Sequence, residues 1–369
     1  MKVLFITNVP FPYTVDYLSE LGKKCELVAC FERATSSERD KSWAEFELKN
    51  CKAIIMKGIN IGVEAALCFE VIRHINEEKA DIVLISNPCT PTGIIAQLYM
   101  KIHNIRYCIQ SEGAFVGKGW GPKEQLKLLT MKNATMYFST GKCQDDYFLK
   151  YGAKLEQIRR FPFTTLWDNE IKKKIVSREK KDEIKKKLNI KEDSVILCVG
   201  QFIPRKGIDI LLKSISDVDG QVRTLIIGGK PTEEYLSICE EKNLKNVTFI
   251  HHISKEQLKE YYDVADIFVL PTNYDTWGLV IVEAMSYGVP VITTDSCVAA
   301  CTLIDNGVNG YALKAGDVDA FSNTINAVIG DKELLQSMGQ KALEMMQGYS
   351  IENMAYSIMK GLNELTTIS

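Results

Sequence analysis

No stretch of this 369-residue chain reaches the roughly 18 continuous apolar residues of a membrane-spanning helix, so no such span is expected. The opening "MKVLFITNVPFPY" is too short for a secretory signal and lacks a small-residue cleavage site, which predicts an unprocessed chain. A C-x-x-C pair is missing as well: the eleven cysteines are scattered, many of them inside apolar strand-like runs. That distribution suits buried, reduced thiols and points to a cytoplasmic protein. Arginine-rich tracts with interleaved aromatics are absent, and a net charge of −2 with pI near 6.2 offers nucleic acid no general attraction. Nor is there a G-x-x-x-x-G-K-[ST] loop, a low-complexity segment or a short repeat.

What is present is apolar material for two cores, 46% hydrophobic against 25% charged. Short β-branched runs alternate with helical patterns: "KVLFITNV" (2–9), "CELVACF" (25–31), "KAIIMKG" (52–58), "DIVLISN" (81–87), "RYCIQSE" (106–112) and "TMYFST" (135–140). Near-continuous apolar strands are expected where helices cover both faces of a parallel sheet, which predicts a Rossmann-like domain over 1–165. The lysine-rich stretch 161–193 breaks the pattern and reads as a linker into a solvated helix. The series then restarts with "SVILCVG" (194–200), "VRTLIIGG" (222–229), "VTFIHHI" (247–253), "DIFVLPT" (266–272), "PVITTD" (290–295) and "GYAL" (310–313), a second doubly wound sheet within 166–349. The amphipathic segment 349–365 could close the second domain or cross back to the first. Residues 1–165 carry a net charge of +4 and the remainder −6, an asymmetry too small to decide on contact with anionic lipid.

Chemistry concentrates in three stretches. In "VGQFIPRKGIDILL" (199–212), Arg205 and Lys206 stand beside Gly207, which opens a helix. Two cations at a helix N-terminus suit a diphosphate, although a solvated basic loop reads equally well. "LIIGGK" (225–230) ends a strand in two glycines, where backbone can approach a ligand or simply turn. In "NYDTWGLVIVEAMSYGVP" (273–290), Thr276 is placed to cap a helix from Trp277 to about Tyr287. First-turn N–H groups of Trp277, Gly278 and Leu279 would then face an anion. Glu283, two turns along, could accept both hydroxyls of a vicinal diol such as ribose, or cap a neighbouring element. The adjacent His251 and His252 point to opposite faces if they lie on a strand, which argues against a metal. The pairs Asp217/Asp219 and Asp317/Asp319 sit at helix ends, where aspartate caps, so no bound metal is expected.

Taken in order, "GQFIPRKGIDILL", "VTFIHHISKEQLKEYYDVADIFVLPT" and "DTWGLVIVEAMSYGVPVITTD" resemble the nucleotide-sugar domain of retaining glycosyltransferases of family 4, of the bacterial polysaccharide and lipopolysaccharide type. The resemblance implies the GT-B fold: α/β, two Rossmann-like doubly wound parallel-sheet domains facing across a cleft. It implies a donor site of Gly200, Gln201, Arg205, Lys206, Gly228, Ile253, Asp275, Trp277, Gly278, Leu279 and Glu283. Arg205 and Lys206 would neutralise the diphosphate as it departs. Glu283 would hold the ribose hydroxyls. Asp275 stands where the family has its first glutamate, so the chain reads D-x7-E, and Gln201 replaces a customary cation. Many members carry a histidine where this chain has "SEGAF"; Glu112 could fill that polar role or cap the next helix. Pro12 and Tyr13, with Glu112 and Gly113, are placed on the acceptor side. Segment 117–133 sets Lys118, Lys123, Lys127 and Lys132 among Trp120 and several leucines, either a membrane-facing basic surface or core packing with a solvated lysine face.

The resulting expectation is a metal-independent enzyme of the cytoplasm or the inner face of the cell membrane. It moves a hexose-type sugar from a nucleoside diphosphate, UDP before GDP, to a saccharide or lipid-linked acceptor with retention. The nucleotide sugar is a co-substrate, and no cofactor or nucleic acid is called for. The catalytic candidates are Arg205, Lys206, Asp275 and Glu112. A sugar-nucleotide epimerase of the same fold and a non-catalytic sugar-nucleotide-binding subunit are the alternatives.

Overall fold

The computed structural model describes residues 1–36, 46–117, 119–218 and 221–366. The chain separates into two compact units, residues 1–165 with 350–369, and residues 166–349.

In unit 1 the apolar runs become β1 (Lys2–Thr7), β2 (Glu26–Phe31), β3 (Cys51–Ile55), a small hairpin of β4 (Ile59–Ile61) and β5 (Ala65–Leu67), β6 (Ile82–Ile85), β7 (Tyr107–Gln110), β8 (Met136–Ser139) and β9 (Ile158–Arg160). All but the hairpin form one parallel sheet in the order β3-β2-β1-β6-β7-β8-β9. Strands β6, β7 and β8 are buried along their whole length, as expected under helices on both faces. The helices are α1 (Pro12–Leu21), α2 (Glu70–Glu78), α3 (Pro91–Ile102), α4 (Pro122–Met131) and α5 (Lys142–Lys150). Each of α1, α3 and α4 begins on a proline, whose missing N–H costs nothing in the first turn.

Unit 2 opens with α6 (Arg178–Lys187), then alternates β10 (Ser194–Val199), α7 (Ile208–Ser214), β11 (Val222–Ile227), α8 (Glu233–Glu241), β12 (Val247–Ile250), α9 (Lys255–Val264), β13 (Ile267–Leu270), α10 (Leu279–Ser286), β14 (Val291–Thr294), α11 (Ala300–Leu303) and β15 (Gly310–Leu313). Its parallel sheet runs β12-β11-β10-β13-β14-β15, and α12 (Val318–Gly330) and α13 (Lys332–Met346) complete the unit. The last helix, α14 (Ile351–Thr366), is part of unit 1 and packs along α1. Its inward residues Ile351, Met354, Ala355, Ile358 and Leu362 are at most 1% exposed, the apolar stripe of a 3.6-residue period.

Both sheets reverse strand order once, between β1 and β6 in unit 1 and between β10 and β13 in unit 2. Parallel strands on either side of such a reversal send their connections to opposite faces, which leaves a crevice at their carboxyl ends. The loops leaving β10 and β13 therefore define where a ligand of unit 2 would sit.

Candidate functional site

The loops after β10 and β13 are tied together by backbone. The Arg205 carbonyl accepts from Asn273 N at 2.8 Å and from Thr272 Oγ1 at 2.9 Å, while Asn273 Nδ2 donates to Pro204 O at 3.0 Å. Gly207 permits this approach: it has φ 67°, and a Cβ there would lie 2.0 Å from the Pro271 carbonyl oxygen. One strand over, Gly228 has φ 144°, and its Cβ would lie 2.0 Å from Gly200 O. Gly200 in turn leaves room for the Lys206 methylenes, which pass 3.6 Å from the position of its absent Cβ.

The functional groups meet on this frame. Lys206 Nζ lies 2.5 Å from Asp275 Oδ2, and Arg205 Nη1 lies 3.4 Å from Asp275 Oδ1 and donates to the Tyr274 carbonyl at 2.9 Å. The Lys206 and Asp275 side chains are 12% and 11% exposed, whereas Arg205 is 40% exposed. Asp275 is held rigidly, since its N–H donates to Ser296 O at 3.0 Å and its carbonyl accepts from Val298 N at 3.2 Å. The trio carries one net positive charge, so an anion arriving here finds Lys206 pre-oriented and Arg205 open to solvent.

The helix of the third stretch differs from the expected one. α10 begins at Leu279, with Gly278 at φ 90° as its N-cap, and Thr276 makes no cap. The Trp277 carbonyl, which a helix starting there would pair within its first turn, instead accepts from Ala299 N at 3.1 Å and from the Cys297 thiol at 3.0 Å. Trp277 is 3% exposed and packs beneath the turn, so the helix start belongs to Leu279 and Val280. Glu283 consequently lies one turn into the helix, not two. It is half-buried, and its Oε2 accepts from the Tyr262 hydroxyl at 2.8 Å. Gly200, Gln201, Gly228 and Ile253 all follow the carboxyl ends of β10, β11 and β12. Gln201 is exposed and Ile253 half-buried.

His251 and His252 lie past the end of β12, both exposed, rather than on the strand. Asp317 caps α12, accepting from Ala320 N at 3.0 Å; Asp319 lies in the first turn of the same helix and Asp217 in a short 3-10 turn, while Asp219 is outside the described residues. Among the described residues, no three His, Cys, Asp or Glu side chains gather as a metal site would require.

Within unit 1, Glu112 follows β7 and accepts from the Tyr13 hydroxyl at 3.0 Å. It does not cap the next helix, whose N-cap is Gly121 without a side-chain hydrogen bond. Burial and the nearby Glu64 push the Glu112 carboxyl up to about 7 against the opposing Tyr13 hydrogen bond. Pro12 and Tyr13 open α1, where Tyr13 stacks on Phe11 at 5.6 Å and meets Phe163 edge-on at 5.7 Å. Gly113 is buried. In α4, Lys127 folds back on Glu124 at 3.2 Å and Met131 is buried, while Leu126 and Leu129 are 38% and 45% exposed; Trp120, just before the helix, is 55% exposed. Lys118 is outside the described residues.

A buried acid of unit 1, Glu32, was not singled out from the sequence. Just past β2 and 2% exposed, it accepts from Thr90 Oγ1 at 2.5 Å and Ala66 N at 2.8 Å, and burial raises it to about 7. A carboxyl whose folded pKa exceeds its unfolded value makes its full contribution to stability below the unfolded pKa and loses it as pH rises. Unit 1 should therefore be less stable at pH 8 than at pH 5, by on the order of 3 kcal/mol from Glu32. Urea midpoints across this range should show the decline, and Glu32→Gln should make it shallower, leaving the part that Glu112 contributes over the same window; a slope unchanged in the variant would assign the effect elsewhere.

Residues 180–345 match the family model described as "Glycosyl transferases group 1". Over 99% of this chain and 100% of the other, the structure superposes on Anabaena HepE crystallised in complex with UDP, with a TM-score of 0.80 at 16% identity. The fold is GT-B. A second GT-B structure, the lipopolysaccharide outer core galactosyltransferase WaaB, aligns over 99% of this chain and 100% of its own with a TM-score of 0.72 at 18% identity. In sequence, the chain is 30% identical over 167 residues to the capsular polysaccharide biosynthesis glycosyltransferase CapM of Staphylococcus aureus, 43% of this chain and 42% of CapM. An uncharacterized glycosyltransferase of Methanocaldococcus jannaschii is 28% identical over 170 residues, 46% and 48% of the two chains. The chain thus spans about half the length of the curated relatives it matches.

Proposed function

We propose that the protein is a retaining glycosyltransferase of family 4, moving a hexose-type sugar from a UDP-sugar to a hydroxyl of a saccharide or lipid-linked acceptor without a metal. The observation that carries this reading is the grouping of Lys206, Arg205 and Asp275 across the strand-order reversal of unit 2, with Glu283 one turn into the helix that follows. As the bond to the anomeric carbon breaks, negative charge builds on the departing diphosphate, and Lys206 and Arg205 supply fixed positive charge for it. Asp275, bound to both cations, holds them until the diphosphate competes for them, and then faces the sugar hydroxyls. With Asp275 then occupied by the sugar hydroxyls, we favour front-face substitution, in which the departing diphosphate oxygen takes the acceptor proton. Glu112 and Tyr13 supply the acceptor-side polar pair.

UDP as the nucleotide carrier is supported by the HepE complex; a GDP-mannose-dependent relative keeps GDP as the competing nucleotide. The named activities of CapM and WaaB support polysaccharide or lipopolysaccharide assembly as the setting. Exposed Trp120, Leu126 and Leu129 beside exposed Lys123 and Lys132 support docking of unit 1 on the inner face of the cell membrane. Co-sedimentation with anionic vesicles that Trp120→Ala leaves unchanged would remove that element.

Product analysis tests the whole reading. Incubated with UDP-sugars and an acceptor panel, the protein should release UDP in proportion to a product whose anomeric configuration, read by NMR, matches the donor. An epimerised sugar nucleotide formed without acceptor, or a covalent sugar adduct on Asp275 or Glu112, would contradict it.

A further inference from the structure

Tyr262 touches the carboxylate assigned above to the ribose, and its position is set by packing on several sides. The phenol is 3% exposed and reaches from α9 to donate to Glu283 Oε2 at 2.8 Å. Tyr287 stacks on its ring at 5.3 Å and 29°, and Phe268 lies against it at 6.2 Å and 42°. Tyr287 is itself covered by Lys172 Nζ, 5.0 Å from its ring centre. Lys172 pairs at 2.9 Å with Asp263, the residue next to Tyr262. With two side-chain torsions and crowded ring faces, the hydroxyl has little freedom, so the fold and not the ligand decides where it points. Burial and the Glu283 charge raise the Tyr262 pKa well above its usual value, which keeps the phenol a donor.

A glutamate half-buried on a helix has several rotamers open to it. An ionised carboxylate offers about four acceptor positions. Tyr262 occupies one on Oε2 and so anchors that oxygen, restricting the orientations left to the others. A vicinal diol needs two acceptors at a set angle, so anchoring one oxygen favours a diol over a single hydroxyl.

We propose that Tyr262 is a positioning residue that holds the Glu283 carboxylate in the orientation that accepts both ribose hydroxyls of the donor, and thereby sets the preference for ribonucleotides over 2′-deoxyribonucleotides. This rests on the assignment of Glu283 under Proposed function. No bond is made or broken by Tyr262, and its effect passes entirely through Glu283.

Calorimetric titration of UDP and 2′-deoxy-UDP into the wild type, Tyr262→Phe, Tyr287→Phe and Glu283→Ala tests the proposal, with thermal midpoints alongside. The wild type should prefer UDP by about tenfold, the worth of one hydrogen bond to a charged group. Tyr262→Phe should lose most of that preference by weakening UDP while leaving 2′-deoxy-UDP within about threefold, and in turnover KM should rise more than kcat falls. Tyr287→Phe, which keeps the stacked ring and the Tyr262 hydroxyl, should retain the preference even if both variants lower the thermal midpoint. An undiminished preference in Tyr262→Phe, or an equal loss for both nucleotides, would overturn the proposal while Glu283→Ala still abolishes the preference. A preference that survives Glu283→Ala, or is missing in the wild type, would remove the ribose assignment and this proposal together.

Discussion

Lys206→Ala should lower kcat/KM by about 10²–10³, the usual consequence of deleting one fixed donor to charge that develops in a transition state. The geometry explains why this lysine outranks its neighbour. Its methylenes are packed over Gly200 and its ammonium is nearly buried against Asp275, so the charge is already in place, with little solvent left to reorganise. Arg205 is 40% exposed, and its replacement by alanine should cost roughly a tenth as much. Removing Lys206 also leaves Asp275, 8% exposed, with only the longer contact to Arg205. Some stability will be lost with activity, because a nearly buried carboxylate has then lost its closer partner. Adding Asp275→Asn to Lys206→Ala should restore the thermal midpoint but not turnover. If the double variant regained activity, the role of Lys206 would be to offset Asp275 and nothing more.

The second large effect is on folding. Gly228→Ala places a methyl group 2.0 Å from the Gly200 carbonyl oxygen at a backbone angle that side chains rarely adopt. The obstacle is main chain, which cannot rotate away, so β10 and β11 must part at the edge where the site is built. A cost of about 3–5 kcal/mol is expected, lowering the melting temperature by about 10 °C or more. Gly316→Ala is the matched control: its φ is 82°, but nothing lies within 4 Å of the added carbon. Only the backbone term of about 1–2 kcal/mol should remain there. Equal losses in the two variants, read by circular dichroism, would show that conformation and not close approach makes Gly228 necessary.

The sheets were readable because each buried strand is an almost unbroken apolar run. Strand β9 was not, since "IRR" is two-thirds charged and its arginines lie at the sheet edge, where Arg160 pairs with Asp145 at 2.6 Å. The hairpin β4–β5 escaped notice because its strands are three residues each. At the site, the residue types and their order were legible, but the contacts that govern them were not. Thr276 has the chemistry of a cap, yet the Trp277 carbonyl is taken by Ala299 and Cys297, and the helix starts two residues on. Lys206 and Asp275 are 69 residues apart, and only the adjacency of β10 and β13 closes their ion pair. Tyr262 reads in "KEYYDVAD" as an ordinary inward-facing aromatic, and nothing local reveals that its hydroxyl meets a carboxylate 21 positions later. Glu32 was passed over for the same reason: an acid after a strand gives no local sign that it is buried.

The central claim is that the carboxyl edge of unit 2 holds the diphosphate of a nucleotide sugar through Lys206 and Arg205. Calorimetric titration of UDP and of uridine into the wild type and into the Arg205→Ala/Lys206→Ala double variant tests it most directly. The wild type should bind UDP at least about 100-fold more tightly than uridine, and the double variant should lose most of that difference while uridine affinity stays put. Equal affinity of the wild type for UDP and uridine, or a UDP preference that survives removal of both cations, would contradict it.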